Sequence, residues 1–124
     1  MAANGRRSWE RTSLILIAVV AVAVMIFAFR LEKKLLNQRM MYYQLQSIRK
    51  SIDLFRAVEG KNPASLQELA STEFSFAGED QKHRFLESPT MNERGLFLDA
   101  FGSLFEYDPA SGRVKSSTRG YEFW

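Results

Sequence analysis

From Thr12 to Phe29 the chain runs for 18 residues without a charged side chain, closed at either end by Arg11 and Arg30. A helix rises about 1.5 Å per residue and a bilayer core is about 30 Å thick, so this run is long enough to cross one. The 54 residues from Arg6 to Glu59 hold neither glycine nor proline, and the apolar run and its continuation therefore read as one helix. Counted from Leu14, that helix has 46 residues and a length of about 69 Å, far more than lipid covers. Beyond the span, Met41, Leu45, Ile48, Ile52 and Phe55 recur at spacings of four, three, four and three. Such spacing places them on one helical stripe, with Leu31 and Leu35 extending it towards the span and Gln46, Lys50 and Asp53 on other faces. The stripe predicts the wall of a core formed within the chain. Helix packing between copies is the alternative, and the span with Ala18, Ala21, Ala23 and Ala28 suits it better.

Gly60 is placed to end the long helix in a left-handed conformation. Asn62 and Pro63 then read as an N-cap and first-turn proline of a short helix over about 63–70. Phe74 and Phe76 alternate with polar neighbours, the mark of a brief strand or extended loop, and Gly78 to Lys82 is polar and reads as exposed. Near residue 95 the period changes. Gly95 to Asp99 and Leu104 to Asp108 are short, aromatic-rich segments separated by Phe101-Gly102-Ser103, and Asp108 to Gly112 carries the proline and glycine of a reversal before Arg113 to Ser117. A β-meander over about 95–117 is expected to pack on the helix stripe, with Tyr121, Phe123 and Trp124 closing an edge. The fold class is α+β: a long N-terminal transmembrane helix continuing into an extramembrane domain and packing on a small antiparallel sheet. Its divisions are a basic segment 1–11, a transmembrane part 12–30 and a small domain 31–124.

Length and charge narrow the function. Once the anchor is set aside, 124 residues leave room for one small domain, and without cysteine no disulfide reinforces it, so the helix has to supply part of the core. Of 17 basic and 14 acidic residues, Arg6, Arg7, Arg11 and Glu10 precede the span. The rest, 14 against 13, lacks the concentrated basic face that nucleic-acid binding requires. A Lys/Arg count alone favours an internal C-terminal domain, because Arg30, Lys33, Lys34, Arg39 and Arg49 follow the span. No small-x-small cleavage site follows the apolar run, which favours an uncleaved anchor over a signal sequence. Membrane lipid is thus the first partner, and Trp9 stands where an interfacial aromatic belongs.

The residues give no catalytic constellation. His83, the single histidine, lies between Lys82 and Arg84 in a polar stretch and reads as a solvated loop residue. Glu79 and Asp80 are the one adjacent acid pair of that region and read as solvated too. Serine chemistry would need a base that only His83 supplies, and neither a phosphate-cradling glycine run nor metal-ligand spacing is present. The expectation is no enzyme, with no catalytic, cofactor-binding or metal-binding residue assigned. Trp124, with Tyr121 and Phe123, is expected to pack on the sheet in preference to serving as a partner-binding tail.

Taken together, the stretch from Tyr43 to Arg56, the helix end Glu59 to Leu66 and the segment Asp99 to Tyr107 resemble type IV pilin-like proteins, most closely the major pseudopilins of type II secretion systems. Asp99, Phe101, Gly102 and Phe105 stand where that family has its Asp-Pro-Trp-Gly-Asn-Pro-Tyr strand-turn-strand, and Asp108 to Gly112 is similar to the hairpin that follows. The resemblance covers most of Leu14 to Ser117. It implies a single-pass protein of the bacterial inner membrane with a periplasmic domain. Such a protein would be a structural or assembly subunit of a secretion or pilus-like system, partnered by other pilin-like subunits or assembly proteins and able to homo-oligomerise. Three departures stand out. Arg11 occupies the position of the glycine at the family's peptidase site and Leu16 that of the glutamate, while the other register, Gly5 with Glu10, encloses Arg6, Arg7, Ser8 and Trp9. A full-length anchored protein or an atypical, non-major subunit is therefore expected. The span lacks the family's proline, which predicts a straighter helix. Calcium is the one cofactor the resemblance raises, yet Ser116 to Glu122 offers one carboxylate and an arginine where six to eight oxygens are needed. Asp99 and Asp108 are equally explained as turn residues, and no residue is placed in a metal role. A non-filament membrane scaffold or regulator, pairing its stripe with another protein's helix, is the alternative function; a ligand-binding sensor domain is a third.

Overall fold

A computed structural model describes residues 2–124, with side chains from Arg7 onward; Met1 and the side chains of 2–6, Arg6 among them, lie outside the described residues. The first element, α1, runs without a break from Ala2 to Glu59. It ends where the sequence supplies a residue without Cβ: Gly60 adopts φ 74°, and its N–H closes the last turn on the Arg56 carbonyl at 2.9 Å. The chain forms two compact units, Met1–Leu36 and Asn37–Trp124. In the first unit every described apolar side chain from Leu14 to Leu36 is exposed.

The second unit is built on the stripe. Met41, Leu45, Ile48, Ile52 and Phe55 are all buried, and with Leu66, Leu69, Phe85, Leu86, Phe97 and Val114 they form its core. Each such side chain taken out of water contributes about 1.5–3 kcal/mol. Leu31 and Leu35, expected on the same stripe, are exposed. The reason is angular: at about 100° per residue Leu31 lies roughly 80° and Leu35 roughly 120° from Met41, off the stripe's arc. Phe85 was not foreseen in the core. It packs edge-on against Phe55, with centroids 4.9 Å apart, and stacks on Phe74 at 4.4 Å.

The short helix α2 is Leu66–Ser71, and its cap is Ser65, not Asn62. Ser65 Oγ accepts the Glu68 N–H at 3.4 Å while Glu68 Oε2 accepts the Ala64 N–H at 2.6 Å, a Ser-x-x-Glu capping pair that starts the helix three residues later than the expected 63. Asn62 has a different task. Its side chain accepts from Arg56 Nε at 2.7 Å and donates to the Pro109 carbonyl at 3.0 Å, tying the helix end to the distal turn.

Instead of a three-stranded meander there are two two-stranded antiparallel ribbons. One pairs β1 (Glu73–Phe74) with β2 (His83–Arg84), and the other pairs β3 (Phe105–Asp108) with β4 (Arg113–Ser116). The expected first strand, Gly95 to Asp99, makes only single bridges, Met91 with Phe97 and Leu98 with Leu104. Positive-φ glycines at Gly95 and Gly102 bring turns so close together that no ladder has room to propagate. The α+β class holds, as one long apolar helix followed by small antiparallel ribbons.

Candidate functional site

Two features of the surface carry chemical information. The first is the apolar run of α1, long and apolar enough to cross a membrane, none of whose most apolar stretch is buried. Trp9, just before it, is 82% exposed. An uninterrupted helix satisfies its own backbone groups, which is the condition for residence in hydrocarbon.

The second is a groove of about 260 Å³ in the Asn37–Trp124 unit, between the helix residues Met40, Gln44 and Ile48, the segment Leu86 to Thr90, and Phe97, Leu98 and Phe105. Its walls are mainly apolar. Gln44 Oε1 is buried there without a hydrogen-bond partner, and Ser88 on the rim holds φ 48° directly before Pro89, an arrangement that costs about 1–3 kcal/mol outside glycine. A surface of this kind accommodates an apolar side chain and one donor. Nothing in it forms a nucleophile–base pair.

The residues weighed from the sequence are dispersed. His83 lies in β2, half-buried, and not in a loop; its Nε2 is 3.2 Å from Glu79 Oε2, and its ring lies 5.9 Å from Phe74 and 5.8 Å from Phe76. Glu79 and Asp80 are exposed. Asp99 is 3% exposed and its carboxylate takes four donors: the Phe101 and Ser103 N–H groups at 2.9 Å each on Oδ1, and Ser116 Oγ at 2.5 Å and Thr118 Oγ1 at 2.6 Å on Oδ2. It is the knot that joins the turn after residue 99 to the end of β4. Asp108 caps the distal turn, accepting from Ala110 N at 3.1 Å and from Ser111 Oγ at 2.6 Å, and these hydrogen bonds, Ser111 first, hold its carboxyl below the usual aspartate range. Both aspartates serve as turn residues. Among the described residues no three His, Asp or Glu side chains gather as a metal site.

Of the C-terminal aromatics, Tyr121 stacks on Phe101 at 5.1 Å and meets Trp124 edge-on at 4.8 Å. Phe123, expected to help close the edge, is 97% exposed and does not. Polar ties from the helix had no sequence signal: Gln38 Nε2 donates to Tyr121 Oη at 2.5 Å, and the Arg49 guanidinium donates to the main-chain oxygens of Val114 and Trp124. Tyr107 Oη donates to the Pro63 carbonyl at 2.7 Å, and burial, the largest influence, raises its pKa above 10.0.

The class these features define is a chain with one long apolar helix leading into a small α+β unit. No protein-family model, no curated protein and no solved structure matches it.

Proposed function

We propose that the protein is a membrane-anchored, pilin-like structural subunit, held in the bacterial inner membrane by the Thr12–Phe29 part of α1 and presenting its Asn37–Trp124 unit in the periplasm to a type II secretion or pilus-like assembly. The observation that carries the proposal is the division of labour along one unbroken helix: apolar and exposed from Thr12 to Phe29, then carrying the buried stripe of Met41, Leu45, Ile48, Ile52 and Phe55 in the core of the second unit. A helix that continues from lipid into a core joins anchor and small unit without a separate linker, and exposed small residues such as Ala18 and Ala21 leave room for the close approach of a second span. The β3–β4 hairpin turning at Asp108 to Gly112 supports the same reading, since the resemblance implies a hairpin there.

The chain has no cysteine, so single-cysteine variants report contacts without background. Ala21→Cys is expected to crosslink between copies in native membranes. Intact mass after co-expression with a prepilin peptidase then separates a processed subunit from a full-length anchor. A full-length mass together with absent self-crosslinks removes the subunit reading. A non-filament scaffold is favoured by Arg11 and Leu16 at the degenerate peptidase site. The Met41–Phe55 stripe is occupied within the chain, so such a scaffold would have to pair through the exposed Tyr43 side of α1.

A further inference from the structure

Arg30, Lys33 and Lys34 follow directly on the apolar run, at spacings of three and four that place all three on about a 100° arc of α1. All are exposed, and no ion pair engages any of them among the described residues. Glu32, the acid among them, falls on the opposite side of the helix, roughly 100° or more from each cation. Like charges at these spacings oppose helix formation by about 0.2–0.5 kcal/mol per pair, yet the helix passes through them uninterrupted. Their depth indicates what offsets the repulsion. With Phe29 at the hydrocarbon edge and about 1.5 Å of rise per residue, Arg30 sits at that edge and Lys33 and Lys34 about 6–8 Å beyond it, within the layer that phospholipid phosphates occupy.

We propose that Arg30, Lys33 and Lys34 form a collar that binds the headgroup of an anionic phospholipid. This rests on the membrane-spanning reading of α1. The collar is a site for lipid and not for free phosphate: its cations follow directly on a span that hydrocarbon surrounds, so the acyl chains of the ligand pack on Phe27 and Phe29 while the phosphate meets the guanidinium and ammonium groups. Binding at this position selects the leaflet composition in which the subunit resides and fixes how deep the span sits.

The test uses the full-length protein in neutral detergent, titrated with phosphatidylglycerol, phosphatidylcholine and inorganic phosphate. Phosphatidylglycerol is expected to bind at least about ten-fold more tightly than phosphatidylcholine, and each cation removed in the series Arg30→Gln, Lys33→Gln, Lys34→Gln to weaken it about five-fold. Arg39→Gln/Lys50→Gln/Lys61→Gln, which removes three charges elsewhere, is expected to leave the preference intact. Equal binding of the two lipids, displacement by inorganic phosphate at matching concentrations, or an equal loss in the distant triple variant overturns the proposal. Resistance to alkaline carbonate extraction from neutral vesicles reads the span separately. A protein that resists extraction but shows no headgroup preference refutes the collar alone, whereas one that is extracted refutes the spanning reading beneath it.

Discussion

Replacing Asp99 perturbs the second unit at a buried side chain on which four donors converge. The carboxylate collects two turn amides on one oxygen and two hydroxyls on the other, and its partner Ser116 is 0% exposed, so water does not replace what the substitution removes. Hydrogen bonds to a charged group contribute about 1.5–3 kcal/mol each, and a buried donor left without an acceptor costs about 1–3 kcal/mol. Asp99→Ala strands all four donors, and with some re-pairing of the half-exposed ones the expected loss is about 3–5 kcal/mol. Asp99→Asn keeps an acceptor for the Phe101 and Ser103 amides, and the Ser116 and Thr118 hydroxyls can turn to accept from its amide, so about 1–2 kcal/mol is expected. Ser116→Ala removes a single partner at about 1 kcal/mol, and its effect should shrink in the Asp99→Ala background because the two groups share one interaction. Urea unfolding of the full-length protein in mild detergent, followed by near-ultraviolet circular dichroism, measures all of these. An Asp99→Ala midpoint unchanged from the native protein, or equal losses for alanine and asparagine, refutes the assignment of Asp99 as a charged structural knot.

Three further outcomes are expected. Because burial raises the folded-state pKa of Tyr107 above 10.0, the stability it contributes is complete below pH 10 and fades as pH rises through the folded value; Tyr107→Phe should flatten this alkaline limb in melts taken from pH 8 to 11, and an unchanged limb assigns it elsewhere. Gly112 holds φ 70°, and an added Cβ would lie 2.6 Å from Arg56 Nη2 and 3.0 Å from Asn62 Oδ1; Gly112→Ala should therefore destabilise by more than about 1 kcal/mol and by more than Gly102→Ala, where a positive φ meets open space, with equal melting temperatures arguing against the crowding at Arg56. Ile52→Ala, in the middle of the buried stripe, should cost about 2–5 kcal/mol by thermal melting, and a loss below about 0.5 kcal/mol would mean that the β ribbons do not pack there.

What could be read from the residues followed the length scale over which each signal operates. The long helix, the Met41–Phe55 stripe, the Gly60 stop and the Asp108–Gly112 reversal were legible because they rest on periodicity or on a single backbone requirement. The start of α2 was misplaced because two N-terminal signals compete within four residues: Asn62-Pro63 has the right residue types, but Ser65 and Glu68 satisfy two backbone N–H groups together and so set the boundary. Strand continuity between Gly95 and Asp108 depends on hydrogen bonds across turns at Gly95 and Gly102, which alternation of aromatic residues does not report. The β1–β2 ribbon is two residues per strand, too short for any period, so Phe85 and Leu86 gave no sign of joining the core. Of the candidate surface, the apolar span was evident from composition. The groove at Gln44 and the strained Ser88 arise from segments about forty residues apart and have no local signature.

The central claim is that one helix passes from lipid into the core of the second unit without interruption. Hydrogen–deuterium exchange of the full-length protein in lipid nanodiscs tests it residue by residue. The account predicts amides nearly inert to exchange from about Leu14 to Phe29, with protection continuing through Asn37 to Phe55 at the level of the core. Rapid exchange within Thr12–Phe29, or an unprotected break between Arg30 and Met41, would contradict it.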